Sequence, residues 1–380
     1  MYNICIIWPV FLLVSAVFFN EFLIYYLKIG ATCGWPEIRN EREQPLRAFM
    51  IADTHLLGIY KGHWLDKLKR EWQMKRGFHT AVSVLSPEVV FFLGDLLDEG
   101  KWSTREMFNG YSEEFRRLFA THVPTYAVAG NHDVGFHYEF LPQGIDWFRE
   151  NFNRSLVDSV SIREIHFVLV NSMAFHGDGC LLCRRAEEEL DKVSKMLDCA
   201  RKQDCNGTDT FSPYSRPILL LHFPLFRKDE SDCLRDSEFD YSAPKRDEEY
   251  RPKWESLSEE ATRELIKKLS PRAVFNGHSH RDCKKRWTRP QNFWEYTVNS
   301  FSWRNGDRPA FLLVQITRNE ISVSTCFLPN ESTTIVIYVV CGTILLIWLL
   351  SHITTCLSCR KRARTTSFPL LPQTKEDKSD

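Results

Sequence analysis

Five short apolar runs, each stopping at a polar cluster, set the pattern of this chain. Residues 47–52 lead to Asp53-Thr54-His55, 89–93 to Gly94-Asp95, 126–129 to Gly130-Asn131-His132-Asp133, 218–221 to His222, and 273–275 to Gly277-His278-Ser279-His280. Runs this short and β-prone predict strands, and the repeated order sets every cluster just past a strand end, at one edge of a sheet. Residues 165–170 predict a further continuous apolar strand, ending at Asn171-Ser172. Residues 311–317 and 321–327, joined through Arg318-Asn319-Glu320, predict a hairpin that completes a second sheet.

Between these runs the apolar spacing changes to that of helices. Residues 61–85 carry Trp64, Leu65, Leu68, Trp72, Phe78 and Val82 among basic residues and stop at Ser86-Pro87. Their Lys and Arg either greet an anionic substrate or lipid headgroups, or form a solvated helix face. Further helices are predicted over 104–120, with Phe108, Phe115, Leu118 and Phe119 apolar, over the charged 184–202, and over 257–269, opened by Ser258 and closed by Ser270-Pro271. Strand, helix, strand predicts that 47–52 and 89–93 pair in parallel. Residues 205–215 read as a loop. The long polar insertion 229–255 directly follows His222 and is either a substrate-covering lid or a plain surface loop.

Two longer apolar stretches, 4–27 and 334–356, reach the roughly 20 residues a membrane-spanning helix needs. The first is broken by Asn20-Glu21; it lacks a basic n-region and runs past the usual signal-peptide length, so an uncleaved anchor is preferred to a cleaved signal. Arg360-Lys361-Arg362 and Arg364 beyond the second stretch assign the C-terminal tail to the cytosol and the intervening domain to a lumen. The expected organisation is an anchor over 1–29, a connector over 30–45, a catalytic domain over 46–329, a span over 334–356 and a cytosolic tail over 357–380. Glycosylation triplets at Asn153, Asn206 and Asn330 all fall between the two spans, in agreement with that orientation.

Composition adds little beyond this. With 380 residues, 43% hydrophobic content and zero formal net charge, the chain can bury one large core, and its charge balance calls for no nucleic-acid partner. Of twelve cysteines, Cys33, Cys180, Cys183, Cys199, Cys205, Cys233, Cys283 and Cys326 lie on the lumenal side, an even set compatible with disulfides of unsettled pairing. Cys180-x-x-Cys183 with Cys199 and Cys205 reads either as local disulfides, which a lumen favours, or as a zinc knot. Cys356 and Cys359 admit palmitoylation or stand as inert thiols.

The strand-end clusters offer carboxylate, imidazole and amide donors and no thiol, which suits Mn²⁺ or Zn²⁺ and leaves Fe²⁺ open. Asp95, alone at a tight Gly94 turn, is the candidate to bridge two cations. His132, beside Asn131, is either a structural histidine or a group that exchanges protons near neutral pH. Asp133 is expected to orient His132 by accepting its other ring proton.

Asp53-x-His55, Gly94-Asp95, Gly130-Asn131-His132-Asp133, His222 and Gly277-His278-x-His280 together resemble the calcineurin-like metallophosphoesterases, over about residues 47–326. The resemblance implies an α/β fold: a calcineurin-like double β-sandwich flanked by helices, holding two divalent metal ions. It implies that Asp53, His55 and His280 complete one metal site with Asp95 shared, that Asn131, His222 and His278 form the other, and that His132 stabilises or protonates the leaving oxygen. Purple acid phosphatases place a metal-ligating Tyr three residues after the bridging Asp; here that residue is Asp98, which disfavours an iron-tyrosinate centre.

The flanking residues, Gly94-Asp95-Leu96-Leu97-Asp98-Glu99-Gly100 and Gly130-Asn131-His132-Asp133-Val134-Gly135, resemble a narrower subgroup: membrane-anchored metallophosphoesterases of the early secretory pathway that remodel GPI anchors. That resemblance implies Mn²⁺ and removal of the ethanolamine phosphate branch from the second mannose of GPI-anchored proteins. It also implies a place at endoplasmic reticulum exit sites, the intermediate compartment and the cis-Golgi, with cargo-receptor or coat contacts through the cytosolic tail. Asp98 and Glu99 then either meet the ammonium group or are solvated. The rivals are a lumenal phosphodiesterase for nucleotides or lipid headgroups, a lumenal protein phosphatase, and a non-catalytic cargo adaptor, which the complete ligand set weakens. The terminal Lys375-Glu376-Asp377-Lys378-Ser379-Asp380 departs from a dilysine retrieval signal at Glu376 and Asp377.

Overall fold

The computed structural model describes residues 2–39, 43–137, 142–175, 180–203, 211, 213–234, 248–306 and 308–365. In chain order its elements begin with α1 (Tyr2–Phe18), α2 (Ile24–Thr32), β1 (Leu46–Ile51), α3 (Trp64–Leu85), β2 (Val89–Leu93), α4 (Arg105–Leu118), β3 (Thr125–Val128) and α5 (Asn131–Val134). They continue with α6 (Pro142–Phe152), β4 (Val157–Ile162), β5 (Ile165–Val170), α7 (Leu181–Lys202), β6 (Ile218–Leu221), α8 (Glu259–Leu269) and β7 (Ala273–Asn276). The last are β8 (Cys283–Trp287), β9 (Phe293–Thr297), β10 (Ala310–Ile316), β11 (Ile321–Phe327) and α9 (Glu331–Thr365). Two compact units result, one of Glu21–Glu331 and one of the terminal segments Met1–Asn20 and Ser332–Asp380.

The larger unit is a mixed α/β fold with two sheets. One runs β11-β10-β1-β2-β3 and the other β4-β5-β6-β7-β9-β8. Strands β1 and β2 are parallel, as the strand-helix-strand pattern predicts; β3 is parallel to β2, and β5, β6, β7 and β9 are parallel to one another. The side-chain period of two in a strand divides each apolar run between two faces. Leu46, Ala48 and Met50, Val89, Phe91 and Leu93, and Leu312, Val314 and Ile316 point into one core cluster with Ile165, Phe167, Leu169, Ile218, Leu220 and Phe275 of the other sheet. Phe91 and Phe167 meet across it with ring centroids 4.6 Å apart. The opposite face of the first sheet meets helices: Phe92 packs on Phe78 of α3 and Phe115 of α4. A strand buried on both faces has no polar alternation, which is why these runs read as continuous.

Two expectations need correction. The 311–327 hairpin joins the sheet of β1, not the second sheet, because β10 pairs antiparallel with the edge of β1 that β2 leaves open. Residues 30–45 are more than a connector: α2 runs to Thr32, and Cys33 is joined to Cys326 of β11 across a sequence separation of 293. Disulfides also join Cys180 to Cys183 and Cys233 to Cys283, and Cys199 is disulfide-bonded, as the disulfide reading of these cysteines expects rather than the zinc knot. Cys205, the Asn206 triplet, most of the 205–215 loop, part of the 229–255 insertion and the terminal Lys375–Asp380 signal lie outside the described residues.

Both long apolar stretches are helical and carry candidate membrane spans, Ile7–Thr32 and Glu331–Thr355, which supports membrane association. The Asn20-Glu21 interruption falls in a π-helical turn, Phe19–Leu23, so the polar pair bends the hydrogen-bonding pattern without ending the helix.

Candidate metal centre

All nine sequence-predicted site residues lie on the segments that leave the C-terminal ends of β1, β2, β3, β6 and β7. These segments brace one another through the backbone: Asp53 N–H donates to Gly94 O at 3.1 Å, His55 N–H to Asp95 O at 2.9 Å, and Gly277 N–H to His222 O at 3.0 Å. Holding polar side chains inward so soon after a strand takes unusual backbone. Asp53, His55, Asp95, His278 and His280 have φ of 56°, 44°, 49°, 73° and 60°. A non-glycine residue in this region costs on the order of 1 kcal/mol or more, and such outliers gather at functional sites. Gly94 turns the chain with φ 91°, and a side chain there would have its Cβ 2.5 Å from His222 Nδ1.

Two groups of donors share one carboxylate. Ligand atoms of Asp53, His55, Asp95 and His280 lie within 4.8 Å of one another, as do those of Asp95, His222 and His278. In the first group, His55 Nε2 lies 3.5 Å from Asp95 Oδ2 and 3.0 Å from His280 Nε2, and His280 Nε2 lies 3.5 Å from Asp53 Oδ1. In the second, His222 Nε2 is 3.3 Å from Asp95 Oδ2 and 3.1 Å from Asn131 Oδ1. Ring orientation is set from behind: His222 Nδ1 donates to Leu93 O at 2.8 Å and His278 Nε2 to Trp254 O at 2.6 Å. Each ring then keeps its other nitrogen as a lone pair, as a metal ligand must.

Electrostatics agree with a cation site. Asp53 and Asp95 are fully buried. Burial would raise Asp53, but His280 holds its carboxyl below the usual range; Asp95 is held well below it by His222, His132 and His55 against the same burial. Burial would lower His222, yet Asp95 and Asp53 push it up to about 9. Burial and the neighbouring His222 push His278 down to about 3, and burial pushes His55 down against Asp98 and Asp95. Two dry carboxylates that draw positive charge toward them, among imidazoles held from behind by backbone carbonyls, fit a pair of divalent ions.

His132 stands beside this cage rather than in it. Its N–H donates to Asp95 Oδ1 at 2.7 Å, and its Nδ1 lies 3.0 Å from Asp98 O and 3.4 Å from Asp98 Oδ1. With Nδ1–H donating to Asp98, the Nε2 is left for a substrate oxygen. Burial would lower this ring's pKa, but Asp95 and Asp98 raise it.

The expected role of Asp133 is not what the geometry shows. Its carboxylate accepts from the N–H groups of Leu96 at 3.2 Å, Leu97 at 2.8 Å and Gly130 at 2.8 Å. At the third position of α5 the side chain turns back to the helix start, away from the His132 ring. Burial and Asp95 push Asp133 up to about 7.

Asp98 takes the orienting place instead. It is buried, meets His55 Nδ1 at 3.2 Å and receives Arg304 Nη1 at 3.1 Å. Burial would raise its pKa, but His132, His55 and Arg304 hold it well below the usual carboxylate range. Glu99 is buried too, accepting from Tyr60 N–H at 3.0 Å and from Lys61 N–H. Neither carboxylate is solvated and both have internal partners, so the ammonium-binding reading loses its motive. The Gly94-Asp95-x-x-Asp98 spacing was the signal for Asp98, and Trp254 lies in the 229–255 insertion read as either a lid or a plain loop; nothing near Arg304 in the sequence pointed to the site.

The family model for calcineurin-like phosphoesterases matches residues 46–282. A Metallophosphoesterase 1 homolog of Caenorhabditis elegans is 43% identical over 376 residues, 98% of each chain. Metallophosphoesterase 1 of Macaca fascicularis is 42% identical over 356 residues, 89% of this chain and 87% of that one. A solved dimetal phosphatase from Danio rerio superposes with a TM-score of 0.46 at 14% identity, covering 75% of this chain and 100% of the other. With this match across the metal cage and this identity over nearly its whole length, the chain belongs to the calcineurin-like phosphoesterases and is a relative of the Metallophosphoesterase 1 proteins.

Proposed function

We propose that this protein is a metal-dependent phosphodiesterase that removes the ethanolamine phosphate branch from the second mannose of GPI anchors in the early secretory pathway, supporting transport of GPI-anchored proteins. Its domain would face the lumen and its basic tail the cytosol, where cargo-receptor or coat contacts would act. The observation that carries the catalytic part is Asp95, common to both donor groups, with the His132 N–H on its second oxygen. The residues flanking Asp95 and Asn131, which resemble the GPI-remodelling subgroup, support the substrate, and the two candidate spans support a membrane-borne one.

Asp53, His55, Asp95 and His280 would hold one ion, and Asp95, Asn131, His222 and His278 the other, with Mn²⁺ the preferred metal. A bound pair supplies a water acidified toward neutral pH and neutralises charge on the phosphoryl oxygens. Asp95 is kept ionised and aimed by the His132 N–H, and the imidazoles are fixed in their tautomers by backbone carbonyls. His132, oriented through Nδ1 by Asp98, presents Nε2 to the leaving mannose oxygen and gives it a proton. Water thus adds hydroxyl to phosphorus and hydrogen to the sugar, releasing phosphoethanolamine.

The test is release of ethanolamine phosphate from a GPI-anchored substrate by purified protein with Mn²⁺. Release by the wild type that is lost in His132→Ala and Asp95→Asn supports the reading. Asp95-dependent hydrolysis of a generic phosphodiester without release from GPI keeps the chemistry and rejects the substrate.

A further inference from the structure

The first half of α3 wears its apolar side chains on the outside. Trp64 is 69% exposed, Leu68 59%, Leu65 54% and Trp72 37%. Positions 64, 68 and 72 follow one another at the i, i+4 spacing, so they form one stripe along the helix. The preceding loop extends it with Ile59, 66% exposed, and Tyr60, 65% exposed. Lys61 sets its ammonium 4.0 Å from the ring centroid of the exposed Trp102, adding a fourth aromatic and a cation. So many large apolar and aromatic side chains exposed on one helix and the loop before it mark a contact surface rather than ordinary scatter. The other face of α3, with Met74, Phe78 and Ala81, is the one that packs into the domain.

Contacts on α3 say what lies at one end of the stripe. Trp72 Nε1 donates to Glu21 Oε2 at 2.8 Å, and the Arg76 guanidinium lies 4.2 Å from the ring centroid of Phe22. Arg70 Nη1 donates to Glu331 Oε1 at 2.9 Å, and Lys69 pairs with the same carboxylate. Glu331 opens the C-terminal candidate span, and Glu21 with Phe22 sits in the N-terminal one. The stripe therefore begins where both apolar helices join the domain, and a chain crossing a bilayer there brings the lipid headgroups to it. Trp and Tyr are the side chains that favour that layer, and a lysine there keeps its charge in the headgroups while its stem lies on apolar surface.

We propose that Ile59, Tyr60, Trp64, Leu65, Leu68 and Trp72 form a bilayer-docking face that dips into the headgroup region and holds the catalytic domain against the membrane. The loop that carries Ile59 and Tyr60 is continuous with the metal-site segment: Ile59 N–H donates to Tyr111 Oη at 3.1 Å and Tyr60 N–H to the buried Glu99. The inference depends on membrane association and stands whichever phosphoester is the substrate.

The experiment uses full-length protein labelled with 5-fluorotryptophan, in phosphatidylcholine nanodiscs carrying a nitroxide near the headgroup. The resonance absent from Trp64→Phe identifies Trp64. That resonance is expected to broaden with the nitroxide, while that of Trp294, on β9 of the other sheet, is not. The variant Leu65→Ser/Leu68→Ser, altered only at exposed positions, is expected to lose most of the Trp64 broadening while staying in the disc through its spans. A Trp64 signal broadened only by a water-soluble relaxation agent overturns the proposal. A signal protected from both agents overturns it as well, since it would mark a protein contact.

Discussion

Asp98 is the residue whose role reaches furthest beyond its own segment, because it holds two histidine rings of different purpose. His55 belongs to the first donor group and His132 stands beside it, and Arg304 helps keep the carboxylate charged between them. Removal of such a supporting group commonly lowers metal affinity or activity about 10–100-fold. Asp98→Ala is therefore expected to reduce kcat by that order, with metal titration separating the His55 part from the His132 part. Asp133 behaves differently. Asp133→Asn turns an amide donor toward backbone N–H donors, which costs about 1–3 kcal/mol for an unmet buried group. The expected readout is a lower Tm with the remaining folded protein near full activity; an unchanged Tm with lost activity would return Asp133 to the catalytic step. The difference between the two carboxylates was not legible in the sequence. Both follow a recognisable cluster, and only the fold shows that Asp133 turns to three backbone N–H groups while Asp98 receives a guanidinium from 206 residues away.

At the scale of elements, the site is a consequence of parallel strands that end together. The ligand strands were legible because their apolar runs are uninterrupted, and the parallel pairing of β1 with β2 followed from the helix between them. The edges were not. Cys283-Lys284-Lys285-Arg286-Trp287 carries no apolar run, yet it is β8, an edge strand, where charged side chains discourage pairing with another chain. Strand β4, at the other edge, is polar for the same reason. The hairpin of β10 and β11 was visible as a hairpin, but its sheet depends on which edge of β1 stays free, and no local pattern records that. Close approach of the strand-end segments also gives a prediction. A Cβ at Gly130 would lie 2.2 Å from Asp95 Oδ1, so Gly130→Ala must displace the shared carboxylate. Metal binding measured by calorimetry is expected to fall at both sites together; loss at one site alone would contradict the shared role.

For the whole molecule, two long-range ties stand out. The Cys33–Cys326 disulfide closes nearly the entire domain into one loop, and removing a native bridge of this kind costs about 2–5 kcal/mol. Cys33→Ser/Cys326→Ser is expected to lower Tm in the metal-loaded protein; equal Tm would show that the bridge is incidental. Metal is the second tie. Ions that bind only the folded chain stabilise it by about 2.7 kcal/mol at a hundredfold excess over Kd, so chelation is expected to lower Tm, and re-addition to restore it. A chelator-insensitive Tm would argue against a loaded cage.

Whether Asp95 is shared by two ions is decided by the metal content of purified wild type and Asp95→Asn. About two ions per wild-type chain are expected and fewer than about one in the variant, because both donor groups lose their common carboxylate. A wild type that holds only one ion, or an Asp95→Asn chain that keeps two, would contradict it.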